Sequence, residues 1–276
     1  MNYGKKGSKK RQAELTSKGI MYGKKMRVIF CKVLLVCCFA VAIIGGSLGF
    51  GVYKGILDSA PSIDDIDATP TGYLTTVLDN QGNEIATLVA SGSNRKNVTI
   101  DEIPINLQHA FVALEDSRFY EHNGIDLTGI IRAGVTGIAS GGNFSQGAST
   151  ITQQLARNIF LGYEKTYSRK IKEMFIAVAL EQKYTKQEIL EFYLNNVYFA
   201  NGYYGIESAS EAYFNKNAKD LSISQIAFLC SIPNSPNRYD PYKHKDSTLK
   251  RRDRILKNMY EDGYISESQY EKSVAE

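Results

Sequence analysis

Cysteine is scarce in this chain, and its placement matters more than its number. Of the four cysteines, Cys31, Cys37 and Cys38 lie in or beside one long apolar run, leaving Cys230 alone in the remainder. One thiol cannot close an intradomain disulfide, and no cysteine spacing suits a metal site. The folded part must be held by its core, and an apolar content of 43% over 276 residues is enough to build one. No period of 20–50 residues repeats, which excludes a solenoid. Basic clusters are also missing from the folded part. The formal net charge of +4 hides an uneven split. Residues 1–32 carry ten Lys or Arg against one acidic residue, Glu14, while the rest carries 23 basic and 28 acidic residues. Nucleic-acid binding needs cations on the folded part, so no nucleic-acid partner is expected.

The segment after the basic tail accounts for this asymmetry. Val33–Tyr53 reads VLLVCCFAVAIIGGSLGFGVY without a charge, long enough for a hydrocarbon core that takes about 20 apolar residues. It exceeds a signal-peptide core, and no clean small-residue cleavage site comes after it. The positive-inside rule keeps residues 1–32 in the cytoplasm and sends the rest outside. The expected organisation is a cytoplasmic basic tail (1–32), disordered over 1–25 and touching anionic lipid there, a transmembrane anchor (33–53), a linker (54–72) and an exterior domain (73–276).

Within that domain, Tyr73–Leu78 and Glu84–Val89 are β-prone runs around Asp79–Asn83, a hairpin signal. Ile105–Phe119 follows helical spacing through Leu107, Ala110, Phe111 and Leu114. Glu115 then falls at the margin of the buried face. It is either a solvated helix-end carboxylate or a general base with a pKa raised by desolvation. His122 has no second His near it in sequence and suits a hydrogen bond better than a metal. Between Gly124 and Gly147 lie five further glycines, among Ile130, Ile131, Val135 and Ile138. This stretch reads as a mobile, partly membrane-facing flap or as a loop with one short helix. Ser149–Leu161 is expected as a helix that aligns Ser149, Gln153 and Arg157 on one face, suited to a polyoxygenated, phosphate-bearing ligand. Tyr167–Lys183 is another, where Arg169 and Lys170 reach Glu173 as surface ion pairs or as a cationic site for an anionic leaving group. Capping boxes at Thr185–Glu188, Ser222–Gln225 and Ser266–Gln269 open further helices.

Five stretches, in order, carry a resemblance. Glu115–Gly124, Gly147–Gln154, Arg169–Glu173, Ile189–Gly205 and Leu221–Pro241 resemble the five motifs of the family 51 peptidoglycan glycosyltransferases. These are the polymerising modules of class A penicillin-binding proteins and of monofunctional transglycosylases. The resemblance implies a mainly α, lysozyme-like bilobal domain with a small β-hairpin and a mobile jaw between the first two motifs, preceded by one transmembrane helix. It implies polymerisation of lipid II into β-1,4-linked glycan with release of undecaprenyl diphosphate. Glu115 would be the base, and Arg157, Arg169 and Lys170 would neutralise the diphosphate. Glu173, the second essential carboxylate, would order the cations or hold Mg²⁺ or Mn²⁺. Asp116, Phe119 and His122 would shape the first motif, and Ser149, Thr150, Gln153 and Gln154 would contact sugar or diphosphate. Implied partners are lipid II, the growing strand, membrane lipids and cell-division or elongation proteins, all at the bacterial cell membrane.

Ala200, Asn215, Gln225 and Cys230 stand where that family usually has Gly, Gly, Glu and Ala, and Arg157 where Lys is common. No Ser-x-x-Lys acyl-transfer motif is suitably placed, so the chain is expected to be monofunctional or the N-terminal part of a longer protein. Two other functions remain open: a lysozyme-like hydrolase or lytic transglycosylase with Glu115 as acid, and a non-catalytic lipid II-binding scaffold.

Overall fold

The computed structural model describes residues 4–15, 18–58, 66–69, 75–82, 84–88, 95–139, 149–161 and 166–276. It divides into two compact units, Met1–Ser59 and Ala60–Glu276.

The first unit holds α1 (Lys5–Leu15) and α2 (Lys18–Asp58). The tail expected to be disordered is helical here. Its Lys, Arg, Gln, Ala and Glu are good helix formers, and like charge did not prevent the turn from closing. Within α2, Lys25–Leu48 is long and apolar enough to cross a membrane, with a mean hydropathy of 2.8 and none of it buried. That segment begins before the expected Val33 because Met26, Val28, Ile29 and Phe30 extend the apolar surface. At 1.5 Å per residue its 24 residues reach about 36 Å, enough for a hydrocarbon core of about 30 Å.

The second unit begins with a hairpin of β1 (Thr75–Leu78) and β2 (Glu84–Leu88). The strands pair antiparallel, Thr75 opposite Leu88, with a bulge after Val77. Helices follow: α3 (Ile105–Glu115), α4 (Leu127–Ala139), α5 (Ile151–Ala156), α6 (Tyr167–Lys183), α7 (Lys186–Asn196), α8 (Ile206–Phe214), α9 (Ile223–Ser231), α10 (Lys245–Glu261) and α11 (Glu267–Ala275). The domain is mainly α, as expected. Short α5 packs against α6 and α7, while α9 packs against α3 and α10. Their shared core centres on Phe111, Phe119, Tyr193 and Phe199, all fully buried. Phe111 meets Tyr193 and Phe199 edge-on, with centroids 6.0 and 6.2 Å apart. Each such side chain contributes about 1.5–3 kcal/mol by leaving water.

Helix starts follow the sequence closely. The three expected capping boxes all form. Gln225 fills the third helical position of α9, where its side-chain oxygen accepts from the Ser222 N–H at 3.0 Å. That is the work the family's usual Glu would do, so the lost carboxylate costs the cap nothing.

Three expectations change. Inside the expected linker, Ile66 and Ala68 are fully buried and join the core, and the Lys183 ammonium donates to the Ile66 carbonyl at 2.6 Å. Alternating apolar residues in an Asp-rich stretch gave no periodic signal. The Gly-rich flap contains a 13-residue helix, α4. Asp126 starts it by accepting from the Gly129 N–H at 2.8 Å, so the cap overrides the low helix propensity of glycine. The rest of that flap, 140–148 with Gly147 of the second motif, lies outside the described residues, as do linker positions 59–65 and 70–72 and Tyr73 of the expected first strand. The expected helix Ser149–Leu161 is α-helical only to Ala156, and Arg157–Leu161 forms a wider π-helical turn, a distortion frequent at functional sites.

Candidate active site

Glu115 is the last residue of α3, half-buried at the edge of the core. Its neighbour Asp116 turns inward and is 7% exposed. There it accepts from the Ile151 N–H at 3.0 Å, which ties the first motif to the N-terminus of α5. His122 places Nε2 3.0 Å from both Asp116 oxygens, so this nitrogen serves a carboxylate and leaves no room for a metal there. Phe119 is fully buried, and its ring lies 4.4 Å from the Lys186 ammonium. Gly124 closes the motif with φ +87°, against the backbone of α6.

The second motif opens α5. Thr150 is its N-cap, accepting from the Gln153 N–H while Gln153 reaches back to the Thr150 N–H at 3.1 Å. The Thr150 hydroxyl donates to the Gly124 carbonyl at 2.7 Å. Thr150 and Gln153 are thus buried and serve the frame, so the expected open row of Ser149, Gln153 and Arg157 does not form. Gln154 takes the other direction, and its Nε2 donates to Glu115 Oε2 at 2.9 Å. Arg157 begins the π-helical turn, half-buried.

On α6, Glu173 is 1% exposed and pairs through one oxygen with Arg169 and through the other with Lys170. The Lys170 ammonium also donates to Ser149 Oγ at 2.8 Å and reaches Gln153 Oε1 at 3.4 Å. A buried carboxylate whose two oxygens each hold a cation is poorly suited to a divalent ion, because the ion would sit beside two positive charges. Among the described residues no group of three His, Cys, Asp or Glu gathers for a metal. The donor set does not fit Mg²⁺ or Mn²⁺.

A family model described as Transglycosylase matches residues 81–260. The chain belongs to that family. Penicillin-binding protein 4 of Bacillus subtilis (strain 168) is 39% identical over 90% of this transglycosylase chain and 40% of its own. Penicillin-binding protein 1F of the same organism is 50% identical over 69% of this chain and 26% of its own. Penicillin-binding protein 1A of Escherichia coli (strain K12) is 39% identical over 88% and 28%. The chain spans 40% or less of the length of these relatives. A crystal structure of penicillin-binding protein 1A from Haemophilus influenzae aligns with a TM-score of 0.44 and 20% identity, over 75% of this chain and 21% of that one.

The structure of the transglycosylase domain adds residues that sequence reasoning missed. Arg118 pairs with Asp126 at the start of α4. Thr152 donates to Glu181 at 2.6 Å, and Lys186 joins the same carboxylate at 2.7 Å. Tyr193 of α7 donates its hydroxyl to Gln154 Oε1 at 3.3 Å. Ile189 and Tyr193 share an i, i+4 stripe, which reads only as core. Nothing in that period marks the hydroxyl.

Proposed function

We propose that this domain polymerises lipid II into β-1,4-linked glycan, releasing undecaprenyl diphosphate with inversion at the donor MurNAc C1. The observation that carries this reading is the bridging role of two consecutive residues of α5. Gln154 reaches Glu115 at 2.9 Å, and Gln153 reaches Lys170 at 3.4 Å. A carboxylate that can accept a proton and a cation set that can receive a leaving anion are thereby held on one short element.

In this mechanism Glu115 takes the proton of the acceptor's GlcNAc 4-hydroxyl. That oxygen forms a bond to donor C1 as the C1–O bond to the diphosphate breaks, and the electron pair leaves with the diphosphate. Arg157, Arg169 and Lys170 stabilise the developing charge, the latter two preorganised by Glu173. Ser149 would orient Lys170 or meet a phosphate oxygen. Asp116, Phe119, His122, Thr150 and Gln153 act through the frame that fixes these groups. Membrane anchoring suits a lipid-linked substrate, and the basic N-terminus supports a domain outside the cytoplasm by the positive-inside rule. Against the expected tail, anchor and exterior domain at 1–32, 33–53 and 73–276, the apolar span runs over Lys25–Leu48, and Ile66 and Ala68 of the linker join the core of the domain. No step uses a metal.

Lys170 gives the test. Replacing it with Met should lower kcat on lipid II by about a hundredfold, the scale of losing one charge-stabilising donor, without loss of fold. A glycan hydrolase acting on an uncharged leaving group would be indifferent, and unchanged turnover by Lys170→Met contradicts the proposal.

A further inference from the structure

Beneath Glu115 runs a chain of polar groups that the proposed reaction does not by itself require. Tyr193 is fully buried, and a buried phenol needs a partner for its hydroxyl. It finds one in Gln154 Oε1 at 3.3 Å. A carboxylate only accepts, so it takes the donating end of the amide, and the Tyr193 hydroxyl then anchors the accepting end. With its oxygen on Tyr193, its nitrogen meets Glu115 Oε2 at 2.9 Å. The opposite orientation would set amide oxygen against carboxylate oxygen, whereas the phenol can donate or accept. Tyr193 remains a donor throughout the working range. Burial, and after it the charge of Glu115, pushes its hydroxyl well above the ordinary phenol pKa. The thiol of fully buried Cys230 is held protonated by burial and, second, by the same carboxylate. It offers Glu115 no competing charge.

We propose that Tyr193 is a positioning residue for the reaction: by locking the Gln154 amide it keeps an N–H on Glu115 Oε2. The acceptor hydroxyl is left to Oε1. This rests on the reading of Glu115 as the base. It gives Gln154 a different duty from the substrate contact implied by resemblance, since its two ends are committed to protein groups. A hydrogen bond to the charged form of a carboxylate favours that form, so loss of the donor should be read in the acid limb of the activity profile.

The test is the pH dependence of lipid II polymerisation by the full chain in detergent, for wild type, Tyr193→Phe, Gln154→Met and the double variant. Tyr193→Phe should lower kcat about tenfold and leave KM within about twofold. The acid limb should move up by about one pH unit, the scale of one hydrogen bond to a charged group. Gln154→Met should show a shift of the same direction and similar size, and the double variant should add almost nothing, because the two act in series. Packing damage alone would lower activity without moving the acid limb. If Tyr193→Phe fails to fold, Gln154→Met decides, since Gln154 is only half-buried. An unmoved acid limb, or additive shifts, overturns the inference while leaving the polymerase reading intact. A folded wild type that makes no polymer overturns both.

Discussion

Gly124 has φ +87°, and a Cβ built there would stand 2.8 Å from the carbonyl carbon and oxygen of Ala177. Neither atom can move without displacing α6, which carries Arg169, Lys170 and Glu173. Gly124→Ala should therefore cost at least about 2 kcal/mol in a denaturant melt and lower activity as well. Ala200 poses the reverse case. It has φ +66°, a left-handed conformation that costs an ordinary residue about 1–2 kcal/mol. The family's usual glycine would remove that cost but adds unfolded-chain entropy. Ala200→Gly is expected to stabilise by about 0.5 kcal/mol, and a destabilised variant would refute this account of the position. Asn215 adopts the same region at φ +51° with less penalty, because its short amide tolerates it. Glu207, 4% exposed, has its pKa raised by burial first, against the opposing bond from the Ala218 N–H. A carboxyl whose folded pKa is raised favours the fold when protonated, below its unfolded pKa. That contribution is lost as pH rises through the folded value. Glu207→Gln, which can still accept from Ala218, should raise the melting temperature at pH 7–8, and the gain should vanish toward pH 4.

Among the elements, α5 has six residues, too few to be stable alone, yet it joins three parts of the site. Thr150 fixes it at one end, capping the helix and holding the Gly124 carbonyl at 2.7 Å. Thr150→Ala should cost about 1–2 kcal/mol, with a fall in kcat beyond that of Ser266→Ala, which removes an equivalent cap remote from the site. Equal effects on activity would show that α5 needs no anchoring. Much of this architecture was legible beforehand. Tyr167–Lys183 matches α6 end to end, because an uninterrupted apolar stripe runs between a Thr cap and a β-prone residue. The half-burial of Glu115 and the pairing of Arg169 and Lys170 with Glu173 were readable because charge at the margin of an apolar stripe is visible in one dimension, while their roles came only from the resemblance. The break after Ala156, the docking of Ile66 and the Tyr193 hydroxyl were not readable. Each depends on what another element presents at that point, and helical period carries no record of it.

For the whole molecule, a helix long and apolar enough to cross a membrane accompanies a domain of the transglycosylase family. An apolar helix over Lys25–Leu48, none of it buried, should keep the full chain in the membrane fraction after a high-salt wash and release it into detergent. Release by salt alone would point to peripheral attachment through the basic tail. The orientation proposed from the basic residues of 1–32 predicts that protease added to intact cells stripped of wall should cleave the domain while sparing the N-terminus. The central claim is that Glu115 serves as the base of lipid II polymerisation. It is tested most directly by incubating labelled lipid II with purified full chain and with Glu115→Gln. The account predicts long glycan strands from the wild type and a loss of at least about a thousandfold from the variant, within the range attributed to general base catalysis. Strands from Glu115→Gln at a rate near that of the wild type would contradict it.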